Sequence, residues 1–173
     1  MLVRRETASD LEAIDAVHGA AFEPPADGGE PVEVRLVRDL RHDTGWVPAL
    51  SLVAEEATGA VVGHVVCTVG SLGGGAALGP GPIGVLPPHQ RRGVGGALMH
   101  AVLGAADALD FPVVVLVGHG GYYSRFGFVT AGTIGVLPPD PSWEAHFQAR
   151  TLSAWSPELS GVFRYAAPFE TLA

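Results

Sequence analysis

The stretch from Ile83 to Met99 leaves this chain few folds to choose from. Ile83-Gly84-Val85-Leu86 ends an apolar strand, Pro87-Pro88 stops it, and His89-Gln90-Arg91-Arg92-Gly93 forms a turn rich in Arg and Gly. Beyond the turn, Val94, Leu98, Val102, Ala105 and Leu109 recur with the spacing of one helix face. Asp110-Phe111-Pro112 then turns the chain into the apolar run Val113-Val114-Val115-Leu116-Val117, a strand buried on both faces. Strand, helix and parallel strand make a right-handed crossover. Gly93 and Gly95 let the backbone approach a bound group closely, and the helix start offers unpaired N–H groups and a partial positive charge. Such a site suits a phosphate.

Three phosphate-binding turns compete. A Walker loop needs a Lys after its last Gly, and all ten basic residues here are Arg. A dinucleotide fingerprint needs Gly or Ala three positions after Gly95, where Leu98 stands. The third turn is the acetyl-CoA pyrophosphate loop of the GNAT superfamily of N-acetyltransferases: Gln or Arg, two residues, Gly, one residue, then Gly or Ala. Gln90-Arg91-Arg92-Gly93-Val94-Gly95 fits it throughout, and Tyr123-Ser124-Arg125-Phe126-Gly127-Phe128 fits the family's second motif. On these two motifs the chain resembles that family. Around Gly81-Pro82, Gly121 to Phe128 and Leu137-Pro138 it is most similar to the bacterial YhbS-type N-acetyltransferases.

The resemblance implies an α/β (α+β) fold with a central mixed, mostly antiparallel sheet of about six to seven strands flanked by helices. A splayed cleft between the fourth and fifth strands would take the cofactor. It implies acetyl-CoA as co-substrate. Backbone groups of Ile83, Gly84 and Val85 would hold the pantetheine arm, and Gln90, Arg91, Arg92, Gly93, Val94, Gly95, Gly96 and Ala97 the pyrophosphate. Tyr123, four positions before Gly127, would protonate the departing thiolate, with Tyr122 its nearest rival. The implied reaction is direct attack of a primary amine in a ternary complex, with Phe22 to Glu33 bordering the acceptor. Two departures stand out. The Asn that often precedes the tyrosine helix has no counterpart at Gly118-His119, and Ala76 to Val85 carries no carboxylate to serve as general base. His64, Glu55, Glu56, His119 or a water chain remain as candidates. The missing base keeps open a second function, a catalytically silent acyl-CoA-binding module. A serine hydrolase using Ser124 and His119 lacks the glycines of a nucleophile elbow.

The rest of the chain fits one domain over residues 1–173, with 47% hydrophobic and 16% charged residues and no apolar run of membrane-spanning length. The charged N-terminus, Met1 to Glu6, lacks an apolar signal core, which points to the cytoplasm. A net charge of −8 disfavours nucleic acid and anionic membranes as partners and favours cationic ligands such as amines. Nothing in the sequence decides for or against a homodimer. Strands are expected at residues 2–6, 50–55, 60–72 and 76–85, and amphipathic helices at 11–22 and 32–40. Pro80 and Pro82 should interrupt pairing in the central strand. His64 and Cys67 fall on opposite strand faces, which argues against a metal held by both. Trp143, Phe147 and Leu152 suggest a short helix or lid after a cap at Asp140 or Ser142. Gly161 to Tyr165 reads as a last strand beside the one following Phe128.

Overall fold

Gly73 and Gly74, both at positive φ, reverse the chain between its two longest strands, and the rest of the sheet grows outward from that hairpin. The structure is a computed structural model and describes residues 1–172. In chain order it contains β1 (Leu2–Arg5), α1 (Leu11–Ala21), α2 (Val32–Leu40), β2 (Ser51–Glu55), β3 (Val61–Leu72), β4 (Gly75–Val85) and α3 (Val94–Ala108). There follow β5 (Val113–Val117), α4 (Gly120–Tyr123), β6 (Val129–Thr130), β7 (Val136–Leu137), β8 (Phe147–Thr151) and β9 (Gly161–Arg164).

The strands lie in the order β1-β2-β3-β4-β5-β8-β6, and β9 pairs with the end of β3 and with β7. Among the described residues only the pairs β4–β5 and β7–β9 are parallel. Two of the nine strands, β6 and β7, have two residues each, which leaves seven of ordinary length. The mixed, mostly antiparallel sheet expected from the sequence is therefore present. Alternation along β3 sorts its side chains between two layers. Val65 and Cys67 pack with Leu98, Met99 and Val102 of α3, while Val66 packs with Ile14, Val37 and Leu40 of α1 and α2. His64 shares the α1 face and Cys67 the α3 face, as their spacing requires.

The prolines of β4 act as expected. Val65 pairs with Ile83 and Cys67 with Pro80, so one residue of β3 faces two of β4, Gly81 and Pro82. That bulge bends β4. Its parallel pairing with β5 is confined to Leu78 opposite Val114, and beyond that point the two strands part. A cleft opens between the fourth and fifth strands.

Two expectations are corrected. Phe147 does not belong to a lid helix. Asp140 does cap a short 3-10 segment, Pro141–His146, accepting from Ser142 N–H at 2.8 Å, but Phe147 then opens β8 and is fully buried against Phe163. β9 does not lie beside β6, which pairs with β8. It lies instead beside β7 and the end of β3, because Gly70 and Gly79 leave the room that Phe163 and Tyr165 fill. Among the described residues no helix is long and apolar enough to cross a membrane.

Candidate active site

The splay of β4 from β5 opens a cavity of about 750 Å³, bounded by the end of α1, the free edge of β4, the start of α3 and the segment around α4. The ladder register determines which backbone groups face it. Leu86 N–H donates to Val62 O at 3.0 Å, and by antiparallel alternation the N–H and C=O of Gly84 also point to β3. Those of Ile83 and Val85 point away from β3, toward the cleft. The Gln90 side chain already uses this edge, donating to Val85 O at 3.0 Å.

Gly84 thus differs from its two neighbours. It is buried, does not line the cavity, and a Cβ on it would stand 2.9 Å from His18 Nδ1. The glycine makes room for an imidazole from α1.

At the turn, Arg91 and Gly93 both adopt positive φ, 57° and 87°, and Gly93 caps α3 without a side-chain bond. The first bond of the helix runs from Ala97 N–H to Gly93 O, leaving the N–H groups of Val94, Gly95 and Gly96 without intrahelical partners. A Cβ at Gly93 would meet nothing within 4 Å, and one at Gly95 would meet Val85 at 3.7 Å and Tyr122 Oη at 3.8 Å. Gln90, Arg91, Gly93, Gly95 and Gly96 line the cavity. Val94 is instead core, Arg92 is exposed outside the lining, and Ala97 sits behind the first turn.

Both tyrosines reach the cavity by different routes. Tyr122 is exposed, with the Arg125 guanidinium 4.4 Å over its ring. Tyr123 is half-buried, its ring edge-on to Phe128 at 5.7 Å and to Tyr122 at 5.0 Å. Burial, with the neighbouring Tyr122 phenol, raises the Tyr123 pKa, so it holds its proton at neutral pH. Gly118 admits that ring: a Cβ there would lie 2.2 Å from Tyr123 Cε2.

None of the four side chains considered as a base lines the cavity. Glu55 is bound to Arg4 at 2.6 Å, Glu56 lies 3.3 Å from His89, and His119 is exposed beside His146. His64 is wholly buried in a chain of polar groups running under the sheet. Arg41 Nε and Nη2 donate to Glu6 at 2.8 and 3.1 Å, and the Ser51 hydroxyl donates to it at 2.6 Å. His64 Nε2 lies 3.1 Å from the same carboxylate, and His64 Nδ1 lies 2.8 Å from His18 Nε2. Burial pulls Glu6 upward, but the bonds from His64, Arg41 and Ser51 outweigh it and hold its pKa at about 2. Burial lowers His64, against the pull of Glu6, and burial with the nearby positive groups lowers His18 to about 3. His18 escaped the sequence reading, although its place four residues after Ile14 on the apolar face of α1 marks it as a buried polar side chain. Arg38 of α2 ties Asp15 of α1 to Glu30, both at 2.8 Å, and so anchors the loop that follows Phe22.

Residues 48–130 match the family model for an acetyltransferase (GNAT) domain. Over 172 residues the chain is 34% identical to the uncharacterized N-acetyltransferase YjhQ of Escherichia coli K12, covering 94% of this chain and 91% of that protein. The structure of the GNAT family N-acetyltransferase YhbS from Escherichia coli in complex with CoA superposes with a TM-score of 0.86, at 28% identity, over 98% of this chain and 91% of that one. A GNAT family acetyltransferase from Brucella melitensis in complex with acetyl-CoA does so with a TM-score of 0.77, at 34% identity, over 97% of both chains.

Proposed function

The chain belongs to the GNAT acetyltransferase family, and from that membership we propose that it moves an acetyl group from acetyl-CoA to a primary amine by direct attack in a ternary complex. One observation carries this reading: a strand edge whose backbone groups at Ile83 and Val85 are turned away from β3 runs, within one cavity, into a helix start whose N–H groups have no intrahelical partners and whose glycines are bare. An extended amide-bearing arm ending in a pyrophosphate has the matching shape and charge. The complexes of YhbS with CoA and of the Brucella protein with acetyl-CoA support the same occupant.

In this reading Gln90 gives up Val85 O to the incoming arm, and Val85 N–H donates to the thioester carbonyl oxygen as charge gathers there. The helix start from Gly93 to Gly96 takes the pyrophosphate, with Arg91 and Arg125 adding positive charge at the rim. Tyr123 supplies a proton to the departing thiolate, for which its raised pKa keeps it loaded. The amine enters from the side of Phe22 and the anchored loop behind it.

Calorimetric titration with acetyl-CoA, with dephospho-CoA and ATP as controls, tests the site, and thiol release with an amine panel tests the transfer. Micromolar binding that is lost on Gly95→Leu is expected, since the added side chain fills the space beside Val85 and Tyr122. Absence of binding to any CoA species overturns the reading. Because none of the four side chains named from the sequence as a base lines the cavity, whose lining among the described residues holds one histidine, His100 against Phe126, a silent acyl-CoA-binding module is the second reading. Binding without thiol release from any amine would favour it.

A further inference from the structure

Resting on the transfer reading above, we propose that His18 is the group that takes the proton from the acceptor amine, and that His64 and Glu6 are positioning residues that hold it in the required tautomer. The hydrogen bonds fix the direction of the chain. Glu6, bound by Arg41, is an acceptor and takes the hydrogen bond of the Ser51 hydroxyl at 2.6 Å, so that hydroxyl, 2.9 Å from His64 Nε2, is itself an acceptor there. His64 therefore presents Nε2–H to both oxygens and keeps Nδ1 bare. His18 Nε2–H must then donate to His64 Nδ1, which leaves the lone pair on His18 Nδ1. That nitrogen is buried and has no partner, an expensive arrangement for a polar atom with nothing to do. It faces Gly84, the residue between the two whose backbone groups line the cleft, and Gly84 lacks the Cβ that would collide with it.

Phe22 touches both the imidazole and the cavity. Its ring stacks on His18 with centroids 5.8 Å apart and planes 15° from parallel, and it also forms part of the cavity wall. Phe22 lies just past the last residue of α1, in extended backbone, so its ring can swing without unwinding the helix. Phe22 covers the face of the imidazole while the Nδ1 lone pair lies in its plane toward Gly84, so the movement must also open the edge beside Gly84, and an amine at the cleft then reaches Nδ1 through one water. The ammonium N–H bond breaks, the proton bonds to Nδ1, and the electron pair stays on the amine nitrogen for attack. Glu6 faces the single imidazolium through the neutral His64, and the proton passes to bulk water as product leaves. The carboxylate absent from β4 is replaced by a carboxylate two imidazoles away, brought to the cleft by α1.

The test compares two amine probes by thiol release from acetyl-CoA near neutral pH. Butylamine is almost all ammonium there and needs a base, whereas trifluoroethylamine is almost all free amine and does not. His18→Gln keeps an N–H for His64 but has no basic nitrogen. The expected loss in kcat/KM is about 100-fold with butylamine and less than about tenfold with trifluoroethylamine, in protein whose thermal unfolding shows it folded. Equal losses with the two probes overturn the proposal and leave His18 a packing residue. Independently, two-bond 1H–15N correlation spectra of histidine-labelled wild-type protein should show Nδ1 of His18 bare and Nε2 protonated. A proton on Nδ1 overturns the proposal even if His18→Gln fails to fold. Wild-type protein that acetylates neither probe overturns the transfer reading and this one with it, a result distinct from a variant that loses both probes equally.

Discussion

Tyr123 and Gly84 illustrate how far a single atom decides a role here. The phenol of Tyr123 lies in the cleft wall with its proton secured by burial, so Tyr123→Phe should slow thiol release by about 100-fold while acetyl-CoA affinity measured by calorimetry stays within a few-fold. Equal loss of binding and turnover would make it a packing residue only. Gly84→Ala should act elsewhere. Its backbone groups are spent on β3, but the new methyl would stand 2.9 Å from His18 Nδ1 and 3.3 Å from Val17 Cγ1. Overpacking of that kind costs about 1–3 kcal/mol, which urea denaturation can measure, and acetyl-CoA affinity should hardly change. A normal unfolding midpoint with lost affinity would return Gly84 to the role of a contact glycine. The sequence singled out both residues, and the structure sets Gly84 against an imidazole rather than in the cavity lining. A glycine announces that something comes close without saying what, and the imidazole that does so lies 66 residues earlier in the chain.

Elements whose signals are local were legible. The turn from Gln90 to Gly95 joins an apolar strand to an apolar helix face, and those patterns occupy consecutive residues, so β4, α3 and β5 appear where periodicity puts them. Pro80 and Pro82 likewise announce the bulge that opens the cleft. What the sequence hid depends on distant partners. Phe147 has the same apolar character in a helix or a strand, and its strand is fixed by β5. The place of β9 follows from Gly70 and Gly79 making room for two aromatic rings. The start of α3 carries its own prediction. Gly93 at φ 87° faces open space, so Gly93→Ala suffers conformational strain of about 1–2 kcal/mol without a collision. The strain should displace the first turn, lowering acetyl-CoA affinity more than unfolding stability at the same temperature would suggest. Unchanged affinity would show that the helix start does not hold the pyrophosphate.

For the molecule as a whole, the buried polar chain from Arg41 to His18 makes stability a function of pH. His18 has a folded pKa of about 3 against an ordinary 6.5, so below 6.5 the unfolded chain binds a proton that the folded one refuses, and stability falls until about pH 3. His64 is lowered as well and acts in the same direction. Glu6, held at about 2 against an ordinary 4.5, contributes stability that is complete above 4.5 and disappears as pH falls through 2. The windows overlap and have one sign, so the urea midpoint should drop steadily on acidification from neutrality, with no plateau between the histidine and carboxylate ranges. Each refused proton is worth about 1.4 kcal/mol per pH unit. His18→Gln removes one of them, so the stability of that variant should fall by that much less per unit on acidification from about pH 6 to about pH 5. A slope identical to wild type would mean that His18 takes up its proton in the folded state. An imidazole held at about 3 takes no proton from an ammonium near neutral pH, so the base proposed for transfer depends on Phe22 moving aside and relieving the burial that lowers it.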